Sequence, residues 1–207
     1  MSPEAWSALA NWVMAVAAAA AAWTAYKGLN KWSEQLSGQT DHDLARRLLV
    51  ALYQHKSAVG RLRHPFIPVE EMRDEKGNLP KFNDETNRHQ GLFHAYQRRW
   101  EGVASAHDRL SALLQEAEAV WGEPLAAQWH PIALLENELF FALEEHLREM
   151  HPDHREINSS SEKAEEIIKR RKLLGGMGGD GDEFSRRFSE AMKPVEETLR
   201  KKLGPKK

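Results

Sequence analysis

Residues 132–150 read IALLENELFFALEEHLREM, and this stretch decides the fold class. Its apolar side chains recur every three or four residues, which is the period of an α-helix with one buried face. They are Ile132, Leu135, Leu139, Leu143, Leu147 and Met150. An amphipathic helix of this kind needs partner helices to cover its apolar stripe.

The segment before this helix predicts one of those partners. Residues 86–121 keep a helical period, with Leu92, Tyr96, Trp100, Val103, Leu110, Leu113, Ala117, Val120 and Trp121 on one stripe. Gly122 and Pro124 then end that helix and begin the next, because glycine suits a helix C-terminus and proline suits a first turn. The third helix begins near Leu125, bends or restarts at Pro131, and continues to residue 150.

The C-terminal third predicts two more helices. A polar linker at 152–161 precedes a short helix that ends in the cations of residues 169–172. The sequence GGMGGDGD at 175–182 predicts a flexible hinge formed by Gly175, Gly176, Gly178 and Gly179. A last helix spans 183–203, and Pro194 predicts a kink or break within it.

The first bundle helix carries Leu44, Leu48, Leu52, Val59 and Leu62 and ends at His64-Pro65. Residues 65–85 then contain three prolines and a glycine, which predicts a loop. Phe66, Ile67 and Val69 are candidate contacts for a protein partner in this loop. The alternative, that these side chains pack back onto the bundle, is the commoner role of apolar loop residues.

Residues 5–28, AWSALANWVMAVAAAAAAWTAYKG, raise the question of a membrane. No charged residue lies between Glu4 and Lys27, and a helix of this length crosses a hydrocarbon core of about 30 Å. The aromatic and basic residues suited to the membrane interfaces are Trp6, Trp12, Trp23, Tyr26, Lys27 and Lys31. We therefore predict a retained signal-anchor within residues 1–30.

Two alternatives to a membrane anchor stay open. One alternative is a cleaved signal peptide. Such a peptide begins with basic residues, whereas Met1-Ser2-Pro3-Glu4 contains an acid and no Lys or Arg. A soluble alanine-rich helix is the other alternative, since alanine forms helices well and contributes little to insertion.

Flanking charge predicts the orientation of the anchor. Residues 27–64 carry Lys27, Lys31, Arg46, Arg47, Lys56, Arg61 and Arg63 against Glu34, Asp41 and Asp43. The positive-inside rule then places the C-terminal domain in the cytoplasm of a bacterial cell and the N-terminus outside the inner membrane. Ala15, Ala18, Ala19 and Ala22 supply the small-residue spacing of paired membrane helices, so homo-oligomerisation is an option.

The predicted fold is therefore all-α, with an N-terminal transmembrane helix followed by an up-and-down antiparallel helical bundle. The predicted segments are an anchor at 1–30, a juxtamembrane region with the first bundle helix at 31–64, a loop at 65–85, the remaining bundle helices at 86–203 and a basic tail at 204–207.

Composition excludes several classes of function. The chain has no cysteine, so thiolate catalysis and cysteine zinc sites are excluded. Its 29 Lys and Arg nearly balance 31 Asp and Glu, so no strong overall charge attracts nucleic acid, and a nucleic-acid partner is not the favoured one. The glycine-rich segment lacks the Walker lysine and carries acids where a phosphate would bind. We predict no cofactor.

Ten histidines in a helical bundle prompt a search for metal ligands. A carboxylate-bridged dimetal site needs Glu-x-x-His on two helices, and no histidine has a glutamate three residues before it. The remaining candidates are His151 and His154 of the HPDH segment, with Glu149 nearby. They form a weak site, because no further ligand can be assigned.

The chain resembles uncharacterised bacterial single-pass membrane-anchored helical proteins. The resemblance rests on the Trp-flanked apolar start, LVALYQHKSAVGRLRHPF at 49–66, the EAVWG turn at 118–122 and the late D-x-F helix. It implies an anchor and no activity. We expect a non-enzymatic, membrane-tethered module that binds an unidentified protein. One alternative is an enzyme whose site is assembled from scattered His and carboxylate groups, such as His107, His146 or the HPDH segment. The other is a peripheral binder of nucleic acid or anionic lipid.

Overall fold

The computed structural model describes residues 3–82, 84–122, 125–152, 161–176 and 182–204, with side chains for all of these except residues 3–11, 13, 34 and 161–164. Five α-helices form this part of the chain: α1 (Pro3–Leu62), α2 (Glu85–Trp121), α3 (Leu125–Glu149), α4 (Ser161–Leu174) and α5 (Glu183–Leu203). A short 3₁₀ helix at Val69–Met72 lies in the loop before α2. Within these ranges there is no strand, which confirms the all-α prediction.

The chain divides into two compact units, Met1–Asp43 and Leu44–Lys207. The first unit consists of the N-terminal part of α1, and nearly all of its described side chains are exposed. The second unit contains the rest of α1 and the other helices. Helix α1 continues through Ser37-Gly38 without a break.

No helix of the described residues is both long enough and apolar enough to cross a membrane. The structure therefore gives no support to the predicted transmembrane helix at 1–30. A physical reason lies in the composition of this stretch, because alanine supplies most of its length and contributes little hydropathy compared with leucine or isoleucine.

Contacts between helices fix the topology of the second unit. Arg47 and Arg109 link α1 and α2 in antiparallel order, because Arg47 binds Glu116 whereas Arg109 binds Gln54. Helices α2 and α3 are likewise antiparallel, with His89 against the Leu147 carbonyl and His107 against Glu136. Helix α5 runs antiparallel to α3, since Gln128 meets Thr198 and Glu138 meets Arg187. Four long helix segments thus alternate in direction.

The core of the bundle is built largely from the apolar stripes that periodicity predicted, although Val120 and Met150 of those stripes are 49% and 36% exposed. Leu44, Leu48, Leu52, Val103, Leu110, Ile132, Leu139, Met192 and Leu199 are among its fully or almost fully buried members. Helix α5 contributes Phe184 and Phe188 to the same cluster. Close packing of these stripes leaves room for polar groups only where they find partners.

Helix ends follow local chemistry. Asp84 caps α2 by accepting a hydrogen bond from the Thr86 amide, and Gly122 ends it in a left-handed conformation with φ of 65°. Pro131 and Pro194 lie inside α3 and α5, each of which is one helix. The structure therefore excludes a restart at Pro131 and a break at Pro194.

Candidate functional site

Three polar side chains interrupt the buried stripes of three helices. His55 lies in α1 between Leu52 and Val59, at a position whose neighbours one turn away are core residues. His107 of α2 follows Val103 by one turn, and Glu136 of α3 follows Ile132 by one turn. Because all three face inward from adjacent helices, the bundle brings them together. We call His55, His107 and Glu136 the His-Glu-His cluster.

One carboxylate oxygen holds the cluster together. Glu136 Oε2 lies 3.1 Å from His55 Nε2 and 2.9 Å from His107 Nδ1. An ionised carboxylate only accepts hydrogen bonds, so both of these ring nitrogens carry a proton in this arrangement. The two imidazoles are therefore held in opposite tautomers if each is neutral, His55 protonated on Nε2 and His107 on Nδ1.

Burial differs across the cluster. His55 is 0% exposed and Glu136 is 7% exposed, whereas the His107 side chain retains 32% of its accessible surface. The Trp129 ring packs edge-on against both imidazoles, with centroid distances of 5.1 Å to His55 and 5.7 Å to His107. Phe188 stacks on His55 with a centroid distance of 5.9 Å. The cluster is thus a polar group among aromatic rings, and His107 is its most exposed member.

The two imidazoles keep Glu136 ionised. Burial alone would raise the pKa of its carboxyl, but the hydrogen bonds from His55 and His107 outweigh this effect and lower the pKa below its ordinary value. A buried carboxylate that accepts two hydrogen bonds is a stable anion at neutral pH. It gives the pocket a negative charge.

One buried nitrogen of the cluster has no hydrogen-bond partner among the described residues. His55 Nδ1 is buried and makes no hydrogen bond there. Buried polar atoms are usually paired, so this nitrogen is an exception within a well-packed core. Among the described residues, no hydrogen bond to Nδ1 therefore fixes which tautomer His55 adopts.

Sequence reasoning named His107 only as a scattered candidate and missed His55 and Glu136. A search for short motifs could not find the cluster, because its three residues lie on three different helices and are far apart in sequence. A usable signal did exist. The apolar stripe of α1 skips a turn between Leu52 and Val59, and His55 occupies the skipped position.

The described residues of the predicted HPDH metal site have other neighbours. Glu149 forms an ion pair with Arg170 at 2.6 Å, and His151 packs edge-on against the His89 ring at 4.9 Å. His154 lies outside the described residues. Glu149 is therefore paired with a cation and His151 lies against a second histidine, and the HPDH prediction stays untested.

Most predicted anchor residues have exposed side chains. Trp12, Trp23 and Tyr26 are 72%, 60% and 59% exposed, and Lys27 Nζ lies 5.4 Å above the Trp23 ring. Lys31 is exposed as well, while the side chain of Trp6 lies outside the description.

The predicted partner loop is partly exposed. Phe66 is 67% exposed and Val69 is 41% exposed, while Ile67 is half-buried. Arg99 holds the loop by donating to the carbonyls of His64 and Phe66 at 2.7 and 2.8 Å. Both predicted roles of this loop, contact with a partner and packing onto the bundle, therefore stay open, because Phe66 is exposed and Ile67 is half-buried.

Of the predicted hinge glycines, Gly175 and Gly176 lie among the described residues. Gly175 donates to the Arg171 carbonyl and Gly176 to the Arg63 carbonyl. A Cβ on Gly176 would lie 2.1 Å from Asp182 Oδ2, so this position admits only glycine without local movement. Gly178 and Gly179 fall outside the described residues, and the hinge stays a prediction.

Comparison with known proteins adds no family to this description. No protein-family profile, no curated protein and no solved structure matches the chain. The candidate functions therefore rest on the residues and geometry of this chain alone.

Proposed function

We propose that this protein is a membrane-tethered helical module, in which residues 5–26 anchor the chain in a bilayer and the bundle binds a protein partner. The observation that carries the proposal is the exposure of large apolar side chains along the uncharged stretch. Trp12, Met14, Val16 and Trp23 are all at least half exposed. Side chains of this size and chemistry in one contiguous stretch mark a surface that something else covers.

A bilayer fits this stretch in two respects. The absence of charge from residue 5 to residue 26 matches the hydrocarbon region, where each charged residue at the centre costs about 2.5–3.5 kcal/mol. Trp23, Tyr26 and Lys27 then suit the headgroup level, since aromatic rings and snorkelling lysines favour that depth.

The charge that follows the stretch supports a cytoplasmic bundle. Between residues 27 and 64 the basic residues outnumber the acidic ones, whereas residues 1–4 include Glu4 and no Lys or Arg. A bacterial inner-membrane protein with this asymmetry inserts with its N-terminus outside. We place the bundle on the cytoplasmic side for this reason.

Exposed aromatic side chains on the second unit support the binding of a partner. Phe66 in the loop and Phe141 on α3 are 67% and 66% exposed. Aromatic residues are enriched in protein interfaces because they bury a large area for few rotatable bonds.

Membrane fractionation with two charge-insertion variants tests the anchor. The full-length protein with a C-terminal tag is compared with Val16→Arg/Ala19→Arg, which places two charges in the uncharged stretch. The matched control is Gln35→Arg/Gln39→Arg, which adds the same charges at exposed positions later in α1. We expect the wild type and the control to remain in carbonate-washed membranes and the first variant to be released.

Two results would overturn this proposal. Release of the wild type from washed membranes would remove the anchor. A wild type that stays in solution as a stable oligomer, and becomes a monomer in Val16→Arg/Ala19→Arg, would show that a second copy covers the stretch.

A further inference from the structure

We propose that His55, His107 and Glu136 bind one divalent first-row transition-metal ion, for which zinc is the best match. This inference does not depend on the proposed anchor, because all three residues belong to the second unit. It rests on the donor set, the spacing of the ligand atoms and the burial of the cluster.

The donor set is two imidazoles and one carboxylate. Zinc sites with three protein ligands use such sets and leave a further position for water. Magnesium and calcium prefer all-oxygen ligands, so the two ring nitrogens select a transition metal. Among the described residues this cluster is where three such side chains converge closely enough for one ion.

The spacing of the ligand atoms fits one small ion. One ring nitrogen of each histidine and one Glu136 oxygen all lie within 4.8 Å of one another. Zinc binds nitrogen and oxygen at about 2.0–2.2 Å, so ligands of one ion are roughly 3–4 Å apart. The observed nitrogen–oxygen distances of 3.1 and 2.9 Å and the 4.8 Å limit therefore differ from that spacing by about 1 Å or less.

The environment of the cluster favours binding over solvation. Trp129 borders both imidazoles and Phe188 borders His55, so aromatic rings surround the buried part of the cluster. Glu136 is 7% exposed, and a carboxylate attracts a cation more strongly in such a poorly solvated place than in water. The His107 side chain keeps 32% of its accessible surface, so one proposed ligand is partly open to solvent.

Metal binding changes where the imidazole protons lie. Without an ion, His55 Nε2 and His107 Nδ1 direct their protons at the same Glu136 oxygen. An ion needs the lone pairs of these same nitrogens, so in neutral rings the protons move to His55 Nδ1 and His107 Nε2. No described residue donates a hydrogen bond to His55 Nδ1, so this nitrogen is able to carry the proton that leaves Nε2.

Calorimetric titration of the full chain with zinc chloride, after removal of metal by chelator and dialysis, tests the site. We expect one ion per chain in the wild type. Affinity should fall at least about tenfold in His107→Gln and in Glu136→Gln, because loss of a direct ligand costs at least as much as loss of its supporting partners. Both variants keep the side chain's approximate size, and circular dichroism establishes that each is folded.

Matched controls separate this cluster from other histidines. His130→Gln removes an exposed histidine from α3 and should leave the affinity unchanged. His151→Gln tests the HPDH segment and should also leave it unchanged. Nitrogen-detected NMR of the imidazoles should show His55 and His107 switching tautomers at one equivalent of zinc.

Three outcomes would overturn the proposal. They are absence of zinc binding by the folded wild type, equal binding by wild type and His107→Gln, and loss of binding in His151→Gln alone. Substitution of Co²⁺ or Fe²⁺ for Zn²⁺ in the same titration ranks the metals, and cobalt additionally reports a nitrogen-ligated site through its visible absorption.

Discussion

Arg63 and Asp182 join the end of α1 to the start of α5 through two parallel hydrogen bonds. Arg63 Nη1 donates to Asp182 Oδ2 at 2.8 Å and Nη2 donates to Oδ1 at 2.7 Å. The two side chains are only 3% and 8% exposed. The same guanidinium donates to the Leu173 carbonyl and to Ser185 Oγ, and it lies over the Phe184 ring. One arginine thereby fixes three segments of the chain.

Removing the charge of Asp182 should destabilise the bundle strongly. Asp182→Asn keeps a helix-capping residue but leaves the Arg63 guanidinium buried without its anion. The expected loss is about 3 kcal/mol in the free energy of unfolding, measured by urea denaturation. Glu190→Gln serves as the control, because its ion pair with Arg186 is exposed and should contribute less than about 1 kcal/mol. Equal effects of the two substitutions would refute the assignment of Arg63–Asp182 as a buried pair.

The same ion pair predicts a dependence of stability on acid pH. Burial by itself would raise the pKa of Asp182, but hydrogen bonds from Arg63 and Ser185 lower it from 3.8 to about 2. Because the pKa of Asp182 is depressed in the folded state, the contribution of this ion pair to the free energy of unfolding is complete above pH 3.8 and is lost as the pH falls towards 2.

Comparison of two proteins isolates this effect from other titrating groups. The difference in unfolding free energy between wild type and Asp182→Asn should be constant from about pH 6 to pH 4 and should shrink below that range. A difference that stays constant down to about pH 2 would contradict the lowered pKa.

A side chain at Gly176 should disturb the Arg63–Asp182 pair. The Cβ of alanine would lie 2.1 Å from Asp182 Oδ2 and 2.6 Å from Arg63 Cζ. We expect Gly176→Ala to lower the stability by about 1–3 kcal/mol through this overlap. Gly60→Ala is the matched control in α1, where no atom lies within 4 Å of the new Cβ, and it should raise the stability by about 1 kcal/mol. A neutral Gly176→Ala would instead favour a role for Gly176 only as part of a hinge.

Arg99 should control the mobility of the loop between α1 and α2. It donates to the carbonyls of His64 and Phe66 and pairs with Glu71, while Arg98 donates to the Glu71 carbonyl. Arg99→Ala should increase amide hydrogen exchange across residues 64–72 with little change in the core of α3, because only the loop loses its contacts. Arg109→Ala removes an exposed arginine of the same helix and should leave that exchange unchanged. Unaltered loop exchange in Arg99→Ala would show that the contacts of Arg98 and the packing of Ile67 hold the loop without Arg99.

Helix positions were predictable because they depend on short-range patterns. The stripe of residues 132–150 predicts α3, and Gly122 predicts the end of α2, where its φ of 65° suits glycine. The continuity of α3 at Pro131 was not settled by the sequence, since a lost hydrogen bond in a helix is tolerated only when packing compensates for it. Leu125, Trp129 and Ile132 are buried around this proline and supply that packing.

The N-terminal stretch shows the limit of composition as a guide. Residues 5–26 are uncharged and aromatic at their ends, and these features alone predicted a membrane span. Within the described residues no helix is apolar enough for that. Alanine is responsible for the ambiguity, because it favours the helix in water and in lipid and distinguishes poorly between them.

The sequence by itself determined which residues form helices, where those helices end and which faces are apolar, because each property depends on neighbours within a few positions. Its helical period also aligns His55, His107 and Glu136 with apolar positions, although His55 and Glu136 were not predicted as site residues. Only the tertiary structure decided that these three meet at one carboxylate oxygen and that Arg63 meets Asp182. Such meetings depend on the register between antiparallel helices, and packing of the whole core sets that register.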